Sequence, residues 1–272
     1  MPVSDETKIM AVFCDFENVA IGVREADKDQ FDIVKVLERL LLKGNIVVKK
    51  AYCDWARYKD FKGAMHEASF ELIEIPHVRQ SGKNSADIRM VVDALDLCYT
   101  KEHVDTFVII SGDSDFSPLV SKLRENNKMV IGVGVRHSTS DLLTANCDEF
   151  IFYDDLVQRD GRRTKSRAET KARKTATRGT KAKPEPVLDE SKQEAMDLLL
   201  ETYDALVEER GEQEKIWGSM IKQTLKRRKP GFTESHYGYR TFSELLEEAA
   251  KYNIVKLERD QKSGGYVVSS VG

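Results

Sequence analysis

The stretch Met10-Ala11-Val12-Phe13-Cys14-Asp15-Phe16-Glu17-Asn18 passes from an apolar run to an acid within one residue. The same change occurs in Phe107-Val108-Ile109-Ile110-Ser111-Gly112-Asp113-Ser114-Asp115-Phe116. Continuously apolar runs are typical of parallel strands that are buried on both faces. A carboxylate just past the end of such a strand costs free energy unless a positive charge pairs with it. The two stretches therefore predict a buried parallel sheet with an acidic rim.

Apolar, strand-like runs alternate with amphipathic stretches throughout residues 9–155. This alternation, with short connections, predicts an α/β fold: a mostly parallel sheet with helices on both faces. The predicted strands are 9–15, 46–53, 70–75, 105–111, 129–135 and 149–153. The predicted helices lie near 31–43, 57–68, 84–99, 116–126 and 138–146.

Charge is segregated along the 272 residues, although the net charge is only −3. Residues 158–183 hold eleven Lys or Arg against two Asp or Glu, a net charge of +9, and no aromatic residue. Such a composition cannot bury a core, so we expect 158–188 to be a basic disordered linker. It separates an acidic domain, residues 1–157, from a mildly acidic domain, residues 189–272.

Helical periodicity resumes in the C-terminal domain, and further helices are expected near 213–226 and 239–251. Two apolar stretches then flank Ser263-Gly264-Gly265, which is typical of a hairpin turn. Three helices followed by a hairpin predict a small winged-helix-like domain.

Several classes of protein are disfavoured. No apolar run approaches the roughly 20 residues that a membrane helix needs, and Met1 to Lys8 is polar, so we expect no membrane association and a cytoplasmic location. The four cysteines are far apart and form no CxxC pair, which favours reduced thiols over a zinc site. No Walker-type loop, dinucleotide fingerprint or nucleophile elbow is present.

The acids of the rim predict a metal site. In an open parallel sheet, ligands gather outside the carboxyl ends of the strands. Carboxylate oxygens suit Mg²⁺ or Mn²⁺, so a metal-dependent enzyme acting on phosphate chemistry is expected. The predicted metal ligands are Asp15, Asp87, Asp113 and Asp115. The predicted catalytic residues are these four aspartates and Asn18, which would orient a scissile phosphate or bind the metal's water.

Each of these acids also has a purely structural explanation. Asp15, Asp113 and Asp115 can each cap a turn or a helix. Asp87, in the first turn of its helix, can complement the helix dipole. Both explanations stay open for every one of the four.

Two further acids are secondary candidates. Asp93 shares a predicted helix with Asp87, but at about 100° per residue it points well away from it. Asp141 follows Ser138-Thr139-Ser140 and is better explained as a helix cap than as a ligand.

Residues 9–155 resemble the NYN domain, a branch of the PIN-like nucleases. The resemblance rests on four stretches that agree in order and spacing: Val12–Asn18, Lys83–Leu95, Ser111–Leu119 and Gly132–Phe150. It implies a Mg²⁺- or Mn²⁺-dependent ribonuclease with a PIN-like fold. The family's acids fall on the four aspartates named above, with Asn18 beside them, and Asp93 also matches a family position.

Residues 193–270 resemble a LOTUS (OST-HTH) domain through a shorter set of residues. They are Gly231-Phe232, Ser235, Tyr237-Gly238-Tyr239, Phe242 and Leu245-Leu246. The resemblance implies a winged-helix module that binds RNA or a protein partner. The aromatic residues of this set suit a hydrophobic core. The basic turn Lys226-Arg227-Arg228-Lys229 is therefore the better candidate for RNA binding. The predicted RNA contacts are Lys226, Arg227, Arg228 and Lys229, with Arg162, Arg163, Arg173 and Lys174 of the linker.

Two hypotheses follow. In the first, an RNA-processing nuclease cuts with its NYN-like domain and holds RNA with the basic linker and the C-terminal module. In the second, a non-enzymatic adaptor recruits partners to RNA. A phosphatase is disfavoured, because the DxD of Asp113-Ser114-Asp115 follows a late strand instead of the first. PIN-like domains often dimerise, so a homodimer is also considered.

Overall fold

The computed structural model describes residues 7–26, 31–75, 85–157, 190–211, 214–260 and 264–270. The chain divides into two compact units, residues 1–176 and 177–272. The predicted linker lies outside the described residues, and with it lie Arg162, Arg163, Arg173 and Lys174. The disorder of this segment and its contacts with RNA stay predictions, as do the proposed domain boundaries.

Among the described residues of the first unit, six strands form one parallel sheet. They are β1 (Lys8–Asp15), β2 (Gly44–Cys53), β3 (Glu71–Glu74), β4 (Thr106–Ile110), β5 (Met129–Gly134) and β6 (Glu149–Phe152). Their order is β3-β2-β1-β4-β5-β6. The two strands that carry the acidic stretches, β1 and β4, are therefore neighbours, and their carboxyl ends lie at the same edge.

Helices cover both faces of this sheet. They are α1 (Phe16–Glu25), α2 (Ile33–Lys43), α3 (Lys62–Glu67), α4 (Ser85–Thr100), α5 (Ser117–Glu125) and α6 (Asp141–Asn146). Alternate residues of β1 enter different cores: Val12 packs in the cluster that includes α1 and α2, while Phe13 packs in the one that includes α4 and α5. Burying such side chains contributes about 1.5–3 kcal/mol each. The predicted fold class is confirmed.

Some helix predictions were wrong in detail. Helix α1 was not predicted, although Phe16, Val19 and Val23 form its buried face. The predicted helix near 57–68 is a 3-10 turn, Lys59–Phe61, followed by the short α3. The one near 138–146 begins only at Asp141, because Thr139 and Ser140 are extended and Ser140 caps α6.

Among the described residues of the second unit, three α-helices pack with a three-stranded antiparallel sheet. The elements are α7 (Glu190–Arg210), β7 (Ile216–Trp217), α8 (Gly218–Arg228), α9 (Phe242–Lys251), β8 (Val255–Arg259) and β9 (Tyr266–Ser270). Leu199, Ile221 and Leu246 meet in its core, and Phe232, Tyr237 and Phe242 are buried there as well. These aromatic residues are therefore core, as expected. The assignment of the unit to the LOTUS family stays a prediction.

None of the helices in the described part of the chain combines the length and the apolar character needed to cross a membrane.

Candidate active site

The end of β1 delivers one buried carboxylate to the rim of the sheet. Asp15 is only 7% exposed, and its carboxylate accepts a hydrogen bond from the backbone N–H of Asn18 at 3.4 Å. Asp15 is thereby the N-cap of α1. Asp15 therefore does cap a helix, which was one of the two explanations considered for it. Capping by one carboxylate oxygen leaves a further role open for the other oxygen.

Ser111 connects the ends of β1 and β4. Its side chain is fully buried, and its hydroxyl donates to a carboxylate oxygen of Asp15 at 3.1 Å. The same hydroxyl accepts from the backbone N–H of Asp113 at 3.2 Å. The side-chain oxygen of Asn18 accepts from the N–H of Gly112 at 2.9 Å. Two of these hydrogen bonds fix the loop after β4 to Asp15 and Asn18, and the third lies within the loop itself.

The loop after β4 carries two acids in a tight turn. Asp113 caps the 3-10 turn Ser114–Phe116, because its carboxylate accepts from the N–H of Asp115 at 3.0 Å. Asp115 lies in that turn and is exposed. Helix α5 follows directly, with Pro118 in its first turn as predicted.

Asp87 approaches the same rim from α4, where it lies in the first turn as predicted. Burial and then the charge of Asp87 raise the pKa of Asp15 to about 7. Burial and then the charge of Asp113 raise the pKa of Asp87 to about 6, and Asp115 adds to this increase. The charges of Asp87 and Asp113 thus act on Asp15, and those of Asp113 and Asp115 act on Asp87. We call this set of four coupled acids, Asp15, Asp87, Asp113 and Asp115, the acidic pocket.

The pocket has the donor chemistry of a site for a hard cation, but not the geometry. In the described ranges, no group of three or more His, Cys, Asp or Glu side chains is arranged so that it could hold a metal ion. The charges of neighbouring carboxylates raise the pKa values of Asp15 and Asp87, and a bound cation would relieve this repulsion. Four carboxylates with this repulsion fit Mg²⁺ or Mn²⁺ by their oxygen donors and by their charge.

Glu17 is a further acid beside the pocket that was not predicted as a site residue. Its charge raises the pKa of Asp87, after burial and the two acids of the β4 loop. Its carboxylate pairs with Arg57 at 3.0 Å. The available signal was its position between Asp15 and Asn18, directly after the end of β1.

Asp93 is held elsewhere, on the part of α4 that faces β2. Its carboxylate accepts from the hydroxyl of Tyr52 at 2.9 Å, from Arg89 at 3.0 Å and from Lys50 at 3.3 Å. Burial raises the pKa of Asp93, but the Tyr52 hydroxyl and the two cations lower it more, so the net pKa lies below its ordinary value. These contacts explain Asp93 as a structural ion-pair centre.

Asp141 is exposed in the first turn of α6 and is not the cap of that helix. The cap is Ser140, whose hydroxyl accepts from the N–H of Leu142 at 3.2 Å. The expectation that Asp141 caps the helix was therefore wrong by one residue. The loop before it reaches the rim, because the N–H of Ser140 donates to the carbonyl of Gly112 at 2.9 Å.

The basic turn of the second unit has two arginines that bond to other residues of the unit and two lysines that are exposed. Arg228 is only 8% exposed in its side chain and pairs with Glu201 at 3.0 Å, so it stabilises the contact of α8 with α7. Arg227 donates to the hydroxyl of Thr224 at 2.9 Å. Lys226 and Lys229 are exposed and are the members of the turn best placed for phosphate contacts.

Comparisons with known proteins match the first unit. The family model of the NYN domain matches residues 9–154, more than half of the chain. An uncharacterized protein of Methanocaldococcus jannaschii is 27% identical over 140 residues, covering 52% of this chain and 55% of that protein. The crystal structure of a protein of unknown function from Vibrio parahaemolyticus is 28% identical, with a TM-score of 0.50, and the match covers 57% of this chain and 98% of that one. This chain thus spans about half the length of the curated relative, and neither printed description states an activity.

Proposed function

Because this chain belongs to the NYN domain family of PIN-like nucleases, we propose that it is a metal-dependent endoribonuclease that cleaves RNA phosphodiester bonds. The observation that supports this proposal most is the electrostatic coupling of four carboxylates at the carboxyl ends of β1 and β4. Two of them have pKa values near neutrality, so the pocket favours the uptake of positive charge.

The role proposed for the four acids is to bind a metal ion through their carboxylate oxygens. Asp15, Asp87, Asp113 and Asp115 would hold Mg²⁺ or Mn²⁺, with Asp15 the most firmly positioned of the four. A divalent ion held there would supply an activated water and would stabilise the leaving oxygen in phosphodiester cleavage.

Two neighbouring residues position Asp15. The hydroxyl of Ser111 holds one oxygen of Asp15, and the Asn18 N–H holds the other, so this carboxylate cannot rotate freely. The side-chain oxygen of Asn18 is used by Gly112, which leaves the amide nitrogen of Asn18 as the group that would contact a scissile phosphate. Asn18 thus both fixes the loop and orients the substrate.

Capture of RNA would come from outside the acidic pocket. Carboxylates repel a phosphate backbone wherever no cation reverses the sign of the charge. The net charge of +9 on residues 158–183, together with Lys226 and Lys229, supplies an electrostatic attraction that does not depend on sequence. The second unit, as a LOTUS (OST-HTH) module, would bind RNA or a protein partner, in a cytoplasmic protein.

A second function, that of a non-enzymatic RNA-binding adaptor, is favoured by one observation. The described carboxylates do not form a ready-made ligating group of three. Labelled single-stranded RNA, incubated with the purified full chain in Mn²⁺ or in EDTA, separates the two functions. The nuclease cleaves in Mn²⁺ and not in EDTA, whereas an adaptor binds the RNA in both conditions and leaves it intact.

A further inference from the structure

An apolar stripe runs along the outward side of α4. Its members are Ile88, Val92, Leu95 and Tyr99, and we call it the α4 stripe. Ile88, Val92 and Tyr99 are 62%, 55% and 62% exposed, whereas Leu95 is partly buried. Because the intervals between the four residues are four, three and four, they lie within about 60° of one another around the helix. Single exposed apolar side chains are ordinary, but a continuous stripe over about three turns is typical of an interaction site.

The interior of the first unit uses the other side of α4. Met90, Ala94 and Cys98 are buried there, in the core that also holds residues of β1 and α5. At about 100° per residue, Asp87 falls on this side as well, between Ala94 and Cys98 around the helix. A partner that covers the α4 stripe therefore does not have to cover Asp87.

The spacing of the α4 stripe matches the seam of a coiled coil, in which apolar residues alternate at intervals of three and four. Such a seam needs a second helix with the same spacing, and another copy of α4 supplies one. In an antiparallel pair related by a twofold axis, Ile88 of one copy meets Tyr99 of the other, and Val92 meets Leu95. Two copies of the α4 stripe thus bury each other.

Charge complementarity selects the antiparallel arrangement. Arg89 and Asp96 lie along one flank of the α4 stripe, and both are exposed. In the register given above, Arg89 of each copy lies opposite Asp96 of the other, so the pairing forms the same ion pair twice. A parallel pair of helices would place these two side chains on opposite sides of the seam. Arg89 donates from Nε to Asp93 at 3.0 Å, and a guanidinium has further N–H donors for a second carboxylate.

We propose that two copies of this chain form a homodimer through the α4 stripe, with antiparallel α4 helices and with Arg89 of each copy paired with Asp96 of the other. The proposal does not depend on the ribonuclease function. Because each copy contributes the face of one helix, the contact belongs to the small class of protein interfaces. The dimer is therefore weak, and it forms in a concentration-dependent equilibrium with the monomer.

The first experiment measures mass against concentration, by sedimentation equilibrium of the full chain in EDTA. Between about 1 μM and about 300 μM, the mass of the wild type should rise from 30.9 kDa towards twice that value. Val92→Glu places a carboxylate in a central layer of the seam and should raise the dissociation constant by about 20-fold or more. The matched control is Val34→Glu, because Val34 is 49% exposed on α2, and it should dimerise as the wild type does. Circular dichroism checks that both variants are folded.

The second experiment tests the register through charge. Asp96→Asn would leave an acceptor for Arg89, so the charge is reversed instead. Asp96→Arg sets like charges opposite each other and should raise the dissociation constant by about 5- to 50-fold. Arg89→Glu combined with Asp96→Arg restores opposite charges, and the dissociation constant should return to within about threefold of the wild-type value. The double variant also loses the contact of Arg89 with Asp93, and thermal unfolding measures that cost separately.

Three results would overturn the proposal. A wild type that stays monomeric over the whole concentration range forms no such dimer, and this is also the result expected if RNA or another segment of the chain covers the α4 stripe. A dimer that folded Val92→Glu does not weaken uses another surface. A dimer that Val92→Glu weakens and Asp96→Arg does not would pair the α4 helices in another arrangement.

Discussion

The hydroxyl of Ser111 lies 3.1 Å from a carboxylate oxygen of Asp15, although 96 residues separate the two in the sequence. This bond joins the carboxyl ends of β4 and β1, which are adjacent in the sheet. It also lowers the pKa of a carboxylate that burial and Asp87 raise. Ser111 therefore determines both where the most buried acid of the pocket lies and how readily it ionises.

Removal of this bond by Ser111→Ala is expected to cost about 1–3 kcal/mol of unfolding free energy, because a buried carboxylate oxygen loses its donor. The loss should be larger at pH 8 than at pH 5, since only the ionised form of Asp15 needs the donor strongly. Urea unfolding at the two pH values measures it. Ser111→Thr keeps the hydroxyl and serves as the control. Equal losses at both pH values would contradict the assignment of Ser111 to Asp15.

The pKa of Asp15 predicts how stability depends on pH when no metal is present. Burial and the neighbouring acids raise this pKa from 3.8 to about 7 in the folded state. The folded protein thus keeps a proton that the unfolded chain has lost, and the resulting stabilisation disappears as the pH rises from about 4 through about 7. In EDTA, the wild type should lose roughly 4 kcal/mol more than Asp15→Asn over this range.

Denaturant unfolding at pH 4 and pH 8 tests this prediction, with Asp96→Asn as the control because Asp96 is an exposed acid on α4. Mn²⁺ at pH 8 should restore stability to the wild type, since an ion that binds only the folded state stabilises it. A pH dependence that is the same in wild type and Asp15→Asn would show that this carboxylate is not the buried group described here.

Asp93→Asn separates a structural acid from a catalytic one. The variant keeps a side-chain oxygen for Tyr52 but removes the charge that pairs with Lys50 and Arg89. We expect a loss of about 1–3 kcal/mol in unfolding free energy, with kcat for RNA cleavage within about threefold of the wild type. Thermal unfolding and initial cleavage rates measure the two effects. A large loss of kcat at unchanged stability would instead place Asp93 in the catalytic site.

The basic turn of the second unit predicts two separable effects. Lys226→Ala with Lys229→Ala removes two exposed cations, which should weaken RNA binding and reduce the salt slope of the binding constant by about 1.4. Arg228→Ala removes the partner of Glu201 and should lower the Tm while leaving RNA binding nearly unchanged. Anisotropy at several salt concentrations and calorimetry measure these effects. The reverse pattern would make Arg228 the RNA contact.

The sheet and its acidic rim were predictable because both signals are local. Buried parallel strands are continuously apolar, and each acid stands directly after a strand or in the first turn of a helix. Helix α1 was missed because Asp15 and Asn18 resemble a polar loop when the cap hydrogen bond between them is not known. Its buried residues Phe16, Val19 and Val23 follow the spacing of a helix, but the partly buried apolar residues Ala20 and Ile21 between them obscure that period.

Long-range partners were not predictable from the sequence. The bond between Ser111 and Asp15 depends on strand order, and the pairing of Arg228 with Glu201 depends on how two helices pack. The same limit explains why Lys226 and Arg228, two residues apart, looked equivalent in the sequence. Burial separates them, and burial is a property of the whole fold.

The measurement that tests the central claim most directly is cleavage of labelled single-stranded RNA in Mn²⁺ by Asp113→Asn, with Asp96→Asn as the matched control. The charge of Asp113 raises the pKa of Asp87 within the acidic pocket, whereas Asp96 is exposed on α4. The account predicts that Asp113→Asn loses cleavage by at least about 100-fold and binds RNA as the wild type does, while Asp96→Asn is fully active. Full activity of Asp113→Asn would contradict the account.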